Sequence, residues 1–129
     1  MRRLARHELK SEFQTLEPAL RKYCAEFPEY DMYEMLREIL LGEKVLWAGK
    51  NSFAIGSPLV YHNATTFFME CTAGNLEEIM EAMPIIEADV AAWGFTEIEV
   101  CGRLGWKKMM KPYGFEANRL VLKKHIGEV

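Results

Sequence analysis

Apolar positions along this chain change period twice, and the changes mark its elements. Leu9, Phe13, Leu16, Leu20, Tyr23, Cys24 and Phe27 recur at three- and four-residue spacings, so Glu8 to Glu26 is predicted to be an amphipathic helix. Pro18 lies inside it and removes one intrahelical hydrogen bond, which predicts a kink or a restart near Thr15 to Pro18. Phe27-Pro28-Glu29-Tyr30 reads as a loop. Asp31 and Glu34 then stand at capping-box spacing, and Met32, Met35, Leu36, Ile39 and Leu40 share one face of a second helix from about Met32 to Leu41, which Gly42 ends.

From Lys44 the pattern becomes that of strands. Lys44 to Ala48, Ser52 to Tyr61 and Thr65 to Thr72 are rich in β-branched and aromatic residues and are separated by the turn formers Gly49-Lys50-Asn51 and His62-Asn63. Ser57-Pro58 within the middle run predicts an edge or a bulge, because proline cannot donate to a ladder. The helical period returns after Asn75 and Glu78, a second capping pair, with Leu76, Ile79, Met80, Met83, Ile86, Val90 and Trp93 forming a long apolar stripe that contains Pro84 and closes at Gly94. Thr96 to Val100 reads as a strand, Arg103 to Lys111 as a fourth helix, and Phe115 opens a last strand after Pro112 and Gly114. Met1 to Ala5 fits a short edge strand.

The order strand, two helices, three strands, helix, strand, helix, strand is that of an α+β domain built on one mixed sheet. A helix joining Thr65–Thr72 to Thr96–Val100 implies that these two strands are parallel neighbours in a mostly antiparallel sheet covered by four helices. Phe13, Leu20, Leu36, Ile39, Phe67, Met69, Ile79, Met83, Ile98 and Val100 are the expected core.

Composition narrows the class. A chain of 129 residues, half of them hydrophobic and 27% charged, is expected to form one domain, 1–129, around one core. A net charge of −3 argues against nucleic acid as a partner. Cys24, Cys71 and Cys101 are too far apart for a zinc or CxxC signature, so they are expected to be buried thiols in a reducing compartment. His7, His62 and His125 are scattered without ligand partners, so no metal site is expected. No apolar run approaches the roughly 18 residues of a membrane helix, and the Arg-rich start is not followed by a signal-type segment, which together predict a soluble cytoplasmic protein.

The element order, the Arg3-Leu4-Ala5 start before an acidic-apolar helix, the Glu26-Phe27-Pro28-Glu29 loop and Tyr113-Gly114-Phe115 near the end resemble the GCN5-related N-acetyltransferase (GNAT) fold over essentially the whole chain. Cys101-Gly102-Arg103-Leu104-Gly105-Trp106 further resembles a phrase common in small phage-encoded acetyltransferase-like proteins of unassigned activity. The resemblance implies a coenzyme A site at the start of the third helix, where the family reads Arg/Gln-x-x-Gly-x-Gly/Ala and backbone amides cradle the pyrophosphate. Here that loop is Cys71-Thr72-Ala73-Gly74-Asn75-Leu76, with one glycine and no basic residue, followed by Glu77 and Glu78. The resemblance also implies Asn, Ala and a proton-donating Tyr along the fourth helix. This chain has Arg103, Trp106 and Met110 at those positions, and a thioether donates no proton.

Two functions of different classes follow. In one, the chain is a degenerate, non-catalytic acetyltransferase-like domain of phage origin, an accessory or interaction protein with an unspecified protein partner and no cofactor. In the alternative, it is an N-acyltransferase whose divergent loop, Thr72, Ala73, Gly74 and Asn75, holds acetyl-CoA while Glu29, Tyr30 and Asp31 recruit an amine. No catalytic residue is assigned, although Glu70 on the fourth strand has the chemistry of a general base if it faces a cleft. Arg103, Lys107, Lys108, Lys111, Arg119, Lys123 and Lys124 crowd the end of the chain, whereas Glu77, Glu78, Glu81, Glu87 and Asp89 make the third helix acidic. Arg103 and Lys107 share a helical face, and Trp106 beside them would anchor an acidic partner.

Overall fold

The computed structural model describes residues 1–102 and 105–127. Its elements are β1 (Arg2–Arg3), α1 (Arg6–Glu26), α2 (Met32–Leu40), β2 (Val45–Ala48), β3 (Ser52–Val60), β4 (Thr65–Gly74), α3 (Leu76–Ala92), β5 (Glu97–Val100) and α4 (Trp106–Met110), the last followed by a 3₁₀ turn at Lys111–Tyr113. The strands form one sheet in the order β1-β2-β3-β4-β5, antiparallel throughout except for the parallel β4–β5 pair.

Strand alternation places a core on each face of the sheet. Leu46, Phe53 and Ile55 pack with Leu9, Leu16 and Leu20 of α1 and with Met32, Met35 and Leu36 of α2. Trp47, Ala54, Phe67 and Met69 face the other way, against Ala82, Ile86 and Val90 of α3. Trp47 carries its indole N–H into this second layer and donates it to Asp89 at 2.9 Å, so a buried polar tip is satisfied. Six of the ten expected core residues are buried, while Phe13, Ile39, Ile98 and Val100 are half-buried because they sit at the margins of the two layers.

Asp31 and Asn75 act as the predicted caps, each accepting the backbone N–H three residues on. α1 runs through Pro18 as one helix, so the expected restart is absent. β2 covers β3 only from Phe53 to Gly56, which leaves Pro58 on a locally open edge, as the sequence requires. Of the three thiols expected to be buried, only Cys71 is; Cys24 is half-buried and Cys101 exposed.

The expected last strand does not form. Residues 115–127 make no ladder, and Leu120, Val121, Leu122 and Ile126 are exposed. β-favouring side chains supply propensity, but a strand needs neighbouring backbone to receive its hydrogen bonds. Among the described residues the sheet therefore ends at β5.

One irregularity shapes everything that follows. Ile55 pairs with Cys71 while Gly56 pairs with Met69, so Glu70 is an extra residue in β4. A one-residue slip exchanges faces. Phe67 and Met69 therefore point toward α3, whereas Cys71 and Ala73, still at odd positions, join the layer of α1 and α2.

Candidate functional site

β4 and β5 stay paired only from Thr66–Glu97 to Met69–Val100, and the last contact between them is Cys101 N–H to the Met69 carbonyl at 3.5 Å. From the bulge onward β4 continues beside β3 alone. The chain after β5 turns away, and a groove of about 830 Å³ opens between the two strands, bounded by the end of α1 and the start of α3.

The groove has an aromatic wall. Tyr23 packs on Phe27 and Tyr30 with ring centroids 4.8 and 5.6 Å apart, and its hydroxyl donates to the Glu70 carbonyl at 3.2 Å, where the bulge leaves that oxygen out of the β3 ladder. Burial, reinforced by the neighbouring Cys71, drives the Tyr23 hydroxyl far above its ordinary range. Burial likewise pushes the Cys71 thiol up, against a smaller opposing hydrogen bond from Tyr23. Both groups are neutral at physiological pH.

Glu70 does face this cleft, but it is not an unpaired acid. Lys44 Nζ lies 2.5 Å from Glu70 Oε1 and 3.0 Å from Glu38 Oε2, with both members of the first pair nearly buried. Burial pulls the Lys44 ammonium down, but contact with Glu70 and Glu38 outweighs it and the net shift is upward. The ion pair with Lys44 occupies the Glu70 carboxylate at the groove wall.

All four residues of the expected coenzyme loop, Thr72, Ala73, Gly74 and Asn75, line the groove. Their chemistry differs from what the sequence suggests. Gly74 has φ +108°, and a Cβ there would lie 2.1 Å from the Asn51 carbonyl oxygen and 2.6 Å from Ser52 Cα. Its missing side chain thus makes room for the close approach of Asn51 and Ser52. Glu78 bends back to the same turn, accepting the Asn51 N–H at 3.1 Å and the Ser52 hydroxyl, and these bonds lower its carboxyl below the usual range. Thr72 is 8% exposed, lines the groove, and its hydroxyl has no hydrogen-bond partner among the described residues.

The other expected contact residues are only partly brought together. Glu29, Tyr30 and Trp106 line the groove; Trp106 reaches it because its indole lies against the backbone of Gly102, where a Cβ would stand 2.3 Å from the ring. Asp31 is spent on capping α2, Lys107 is exposed on α4, and Arg103 lies outside the described residues. Met110 is 5% exposed and packs with Ile79, Met80 and Met83, so the position where the resemblance calls for a proton-donating tyrosine holds a core thioether. Tyr23, Lys22 and Lys44 were not singled out from the sequence. Tyr23 looks there like one more residue of an apolar helical stripe, and Lys44 like a strand start.

Among the described residues that line the groove, Lys22 is the only cation, and of the carboxylates there Glu70 is paired with Lys44 and Glu29 lies near Lys123. The pyrophosphate and 3′-phosphate of coenzyme A would call for positive charge or a dense set of free amides, of which this wall offers Lys22 and the backbone of Thr72 to Asn75. No group of three metal-ligating side chains occurs among the described residues.

A five-stranded mixed sheet with one parallel pair, helices on both faces and a groove where that pair splits is the fold of the GNAT acetyltransferases. A probable acetyltransferase matches with a TM-score of 0.71 over 100% of this chain and 99% of its own, at 11% identity. An aminoglycoside N-acetyltransferase, AAC(6′)-Iy, in complex with CoA matches at 0.64 and 16% identity over 97% and 92% of the two chains. An aminoglycoside acetyltransferase from an uncultured soil metagenomic sample, in complex with sisomicin, matches at 0.65 and 12% over 98% and 94%. At these identities the likeness is one of fold. No family model matches the chain, and no curated protein matches its sequence. No helix among the described residues is long and apolar enough to cross a membrane.

Proposed function

We propose that this chain is an acetyltransferase-fold domain that does not transfer acetyl groups and that serves as an accessory or interaction module. The observation that carries this reading is the groove wall itself. Where an acyl-CoA would lie, the glycine of the loop packs against Asn51 and Ser52, and Lys22 is the one cation among the described lining residues. The buried Met110 supports it independently, because no proton donor stands at that position. The likeness of the Cys101–Trp106 phrase to phage-encoded proteins goes with a phage accessory role in the host cytoplasm.

The second reading, an acyltransferase with a divergent loop, rests on Thr72. A buried hydroxyl without a partner on a groove wall suits a ligand that would accept or donate there. Calorimetric titration with acetyl-CoA separates the two. No saturable heat is expected with protein at about 50 µM, a concentration that detects any micromolar ligand. Saturable binding that Thr72→Val weakens would establish the acyltransferase reading in its place.

A further inference from the structure

The bulge at Glu70 turns the backbone of β4 as well as its side chains. Before it, the Thr65 and Met69 carbonyls accept the Thr96 and Cys101 N–H groups, so the odd positions bond toward β5. After it, the Asn75 N–H donates to the Asn51 carbonyl at 3.1 Å in the continued β3 register, which makes Cys71, Ala73 and Asn75 the residues that bond toward β3. The N–H and C=O of Thr72 and the N–H of Gly74 are therefore directed to the side that β5 vacates beyond Val100. A short strand edge thus lies open inside the groove, and its backbone groups call for partners. Thr72 adds a buried hydroxyl with no partner among the described residues.

The edge has an apolar wall on each face. Tyr23, Phe27 and Tyr30 line the groove on the side of α1 and α2, and Leu76, Ile79 and Trp106 line it on the side of α3. A strand laid beside Thr72 and Gly74 alternates its side chains between these two walls. Because both walls are apolar, the sequence that fits is a continuous apolar run and not an alternating one. Opposite charges already stand beside one another around the groove: Glu70 with Lys44, Glu29 near Lys123, and Lys22 one turn from Glu26 on α1. Charge complementarity therefore selects a segment without charges of its own.

We propose that the groove receives an extended, uncharged apolar segment of about four residues from a partner protein, hydrogen-bonded to the β4 edge at Thr72 and Gly74 as an added strand. Main-chain bonds supply the affinity and the two walls supply the specificity. Such a segment takes the place of an acyl-CoA, so this assignment rests on the reading of the chain as an interaction module.

Selection on the full chain from a library of acetyl- and amide-blocked octapeptides, randomised at the four central positions between glycine and serine flanks, tests it. The recovered peptides are expected to be apolar at the central positions and to bind below about 100 µM. N-methylating their central amides one at a time should weaken binding at least about tenfold at alternate positions, those whose N–H faces β4, and little at the positions between, a signature obtained without altering the protein. Trp106→Ala should weaken the best peptide at least about fivefold. No binder below about 100 µM, charged residues selected at the central positions, or N-methylation tolerated at every position overturns the proposal. Acetyl-CoA titrated against the bound peptide keeps the two readings apart: displacement overturns the non-catalytic function and leaves the peptide site standing, whereas absence of binding by both ligands overturns the peptide site alone.

Discussion

Lys44 and Glu70 meet at 2.5 Å where the sheet changes phase. Glu70 is the extra residue of the bulge, so its side chain is turned into the α1/α2 layer, where an unpaired carboxylate would be costly. Lys44 precedes β2 and reaches across to it, with Glu38 of α2 as second partner. Lys44→Met should therefore destabilise the fold by about 3 kcal/mol, since it strands a nearly buried carboxylate. The companion Lys44→Met/Glu70→Met should recover most of that loss, since a pair replaced by apolar groups is close to neutral. Chemical denaturation of the three proteins decides it; equal stability of the single and double variants would show that the pair is not coupled.

Alkali should destabilise the protein in a defined order. The Cys71 thiol, the Tyr23 hydroxyl and the Lys44 ammonium all hold their protons more tightly folded than unfolded, against ordinary values of 9.0, 10.0 and 10.5. Above each ordinary value the unfolded chain sheds a proton that the folded chain keeps, so stability falls as pH rises. Melting temperature is expected to be flat from neutrality to about pH 9 and to decline beyond it; burial raises the Cys24 thiol as well as that of Cys71, so Cys71→Ala combined with Cys24→Ala should remove the earliest part of the decline. A decline that begins at the same pH in that double variant would assign it to other groups.

Thr72 provides the cleanest probe of the groove. Its hydroxyl is buried without a partner, so Thr72→Val keeps the shape and removes an unsatisfied group. Stability should rise by about 1 kcal/mol. Loss of stability instead would mean that the hydroxyl is satisfied in solution, by water or by a resident ligand.

Much of the architecture is legible in the sequence because periodicity reports which face of an element is buried. The stripes through Leu9, Leu16 and Leu20 and through Ile79, Met83, Ile86 and Val90 locate α1 and α3, and Asp31 and Asn75 correctly mark the N-caps of α2 and α3. The bulge is not legible. Thr65 to Thr72 reads as one alternating strand, and only the register against Ile55 and Gly56 reveals that the phase breaks at Glu70. The last strand fails for a related reason: Leu120 to Leu122 have the right side chains, but pairing depends on backbone that sequence does not display. At the candidate site, spacing found the loop Thr72–Asn75 and missed its electrostatics, because Lys44 and Glu78 act over sequence separations of 26 residues and more.

Gly74 is where a sequence motif and a packing constraint can be told apart. A glycine kept for a ligand's phosphate should tolerate alanine in the free protein, with only binding affected. Here the added Cβ would stand 2.1 Å from the Asn51 carbonyl oxygen and 2.6 Å from Ser52 Cα, both backbone atoms of the β2–β3 turn, which cannot swing aside as a side chain would. The residue also has φ +108°, a region strained for any L side chain. Gly94 is the internal control: its φ is +92° but a Cβ there meets nothing within 4 Å. Gly94→Ala should cost about 1 kcal/mol, the conformational part alone. Gly74→Ala should cost about 3 kcal/mol or more, because steric overlap with fixed backbone is added to the same strain. Paired urea melts measure the difference directly, and if the two variants proved equally stable, Gly74 would be free of the turn and available to a ligand after all.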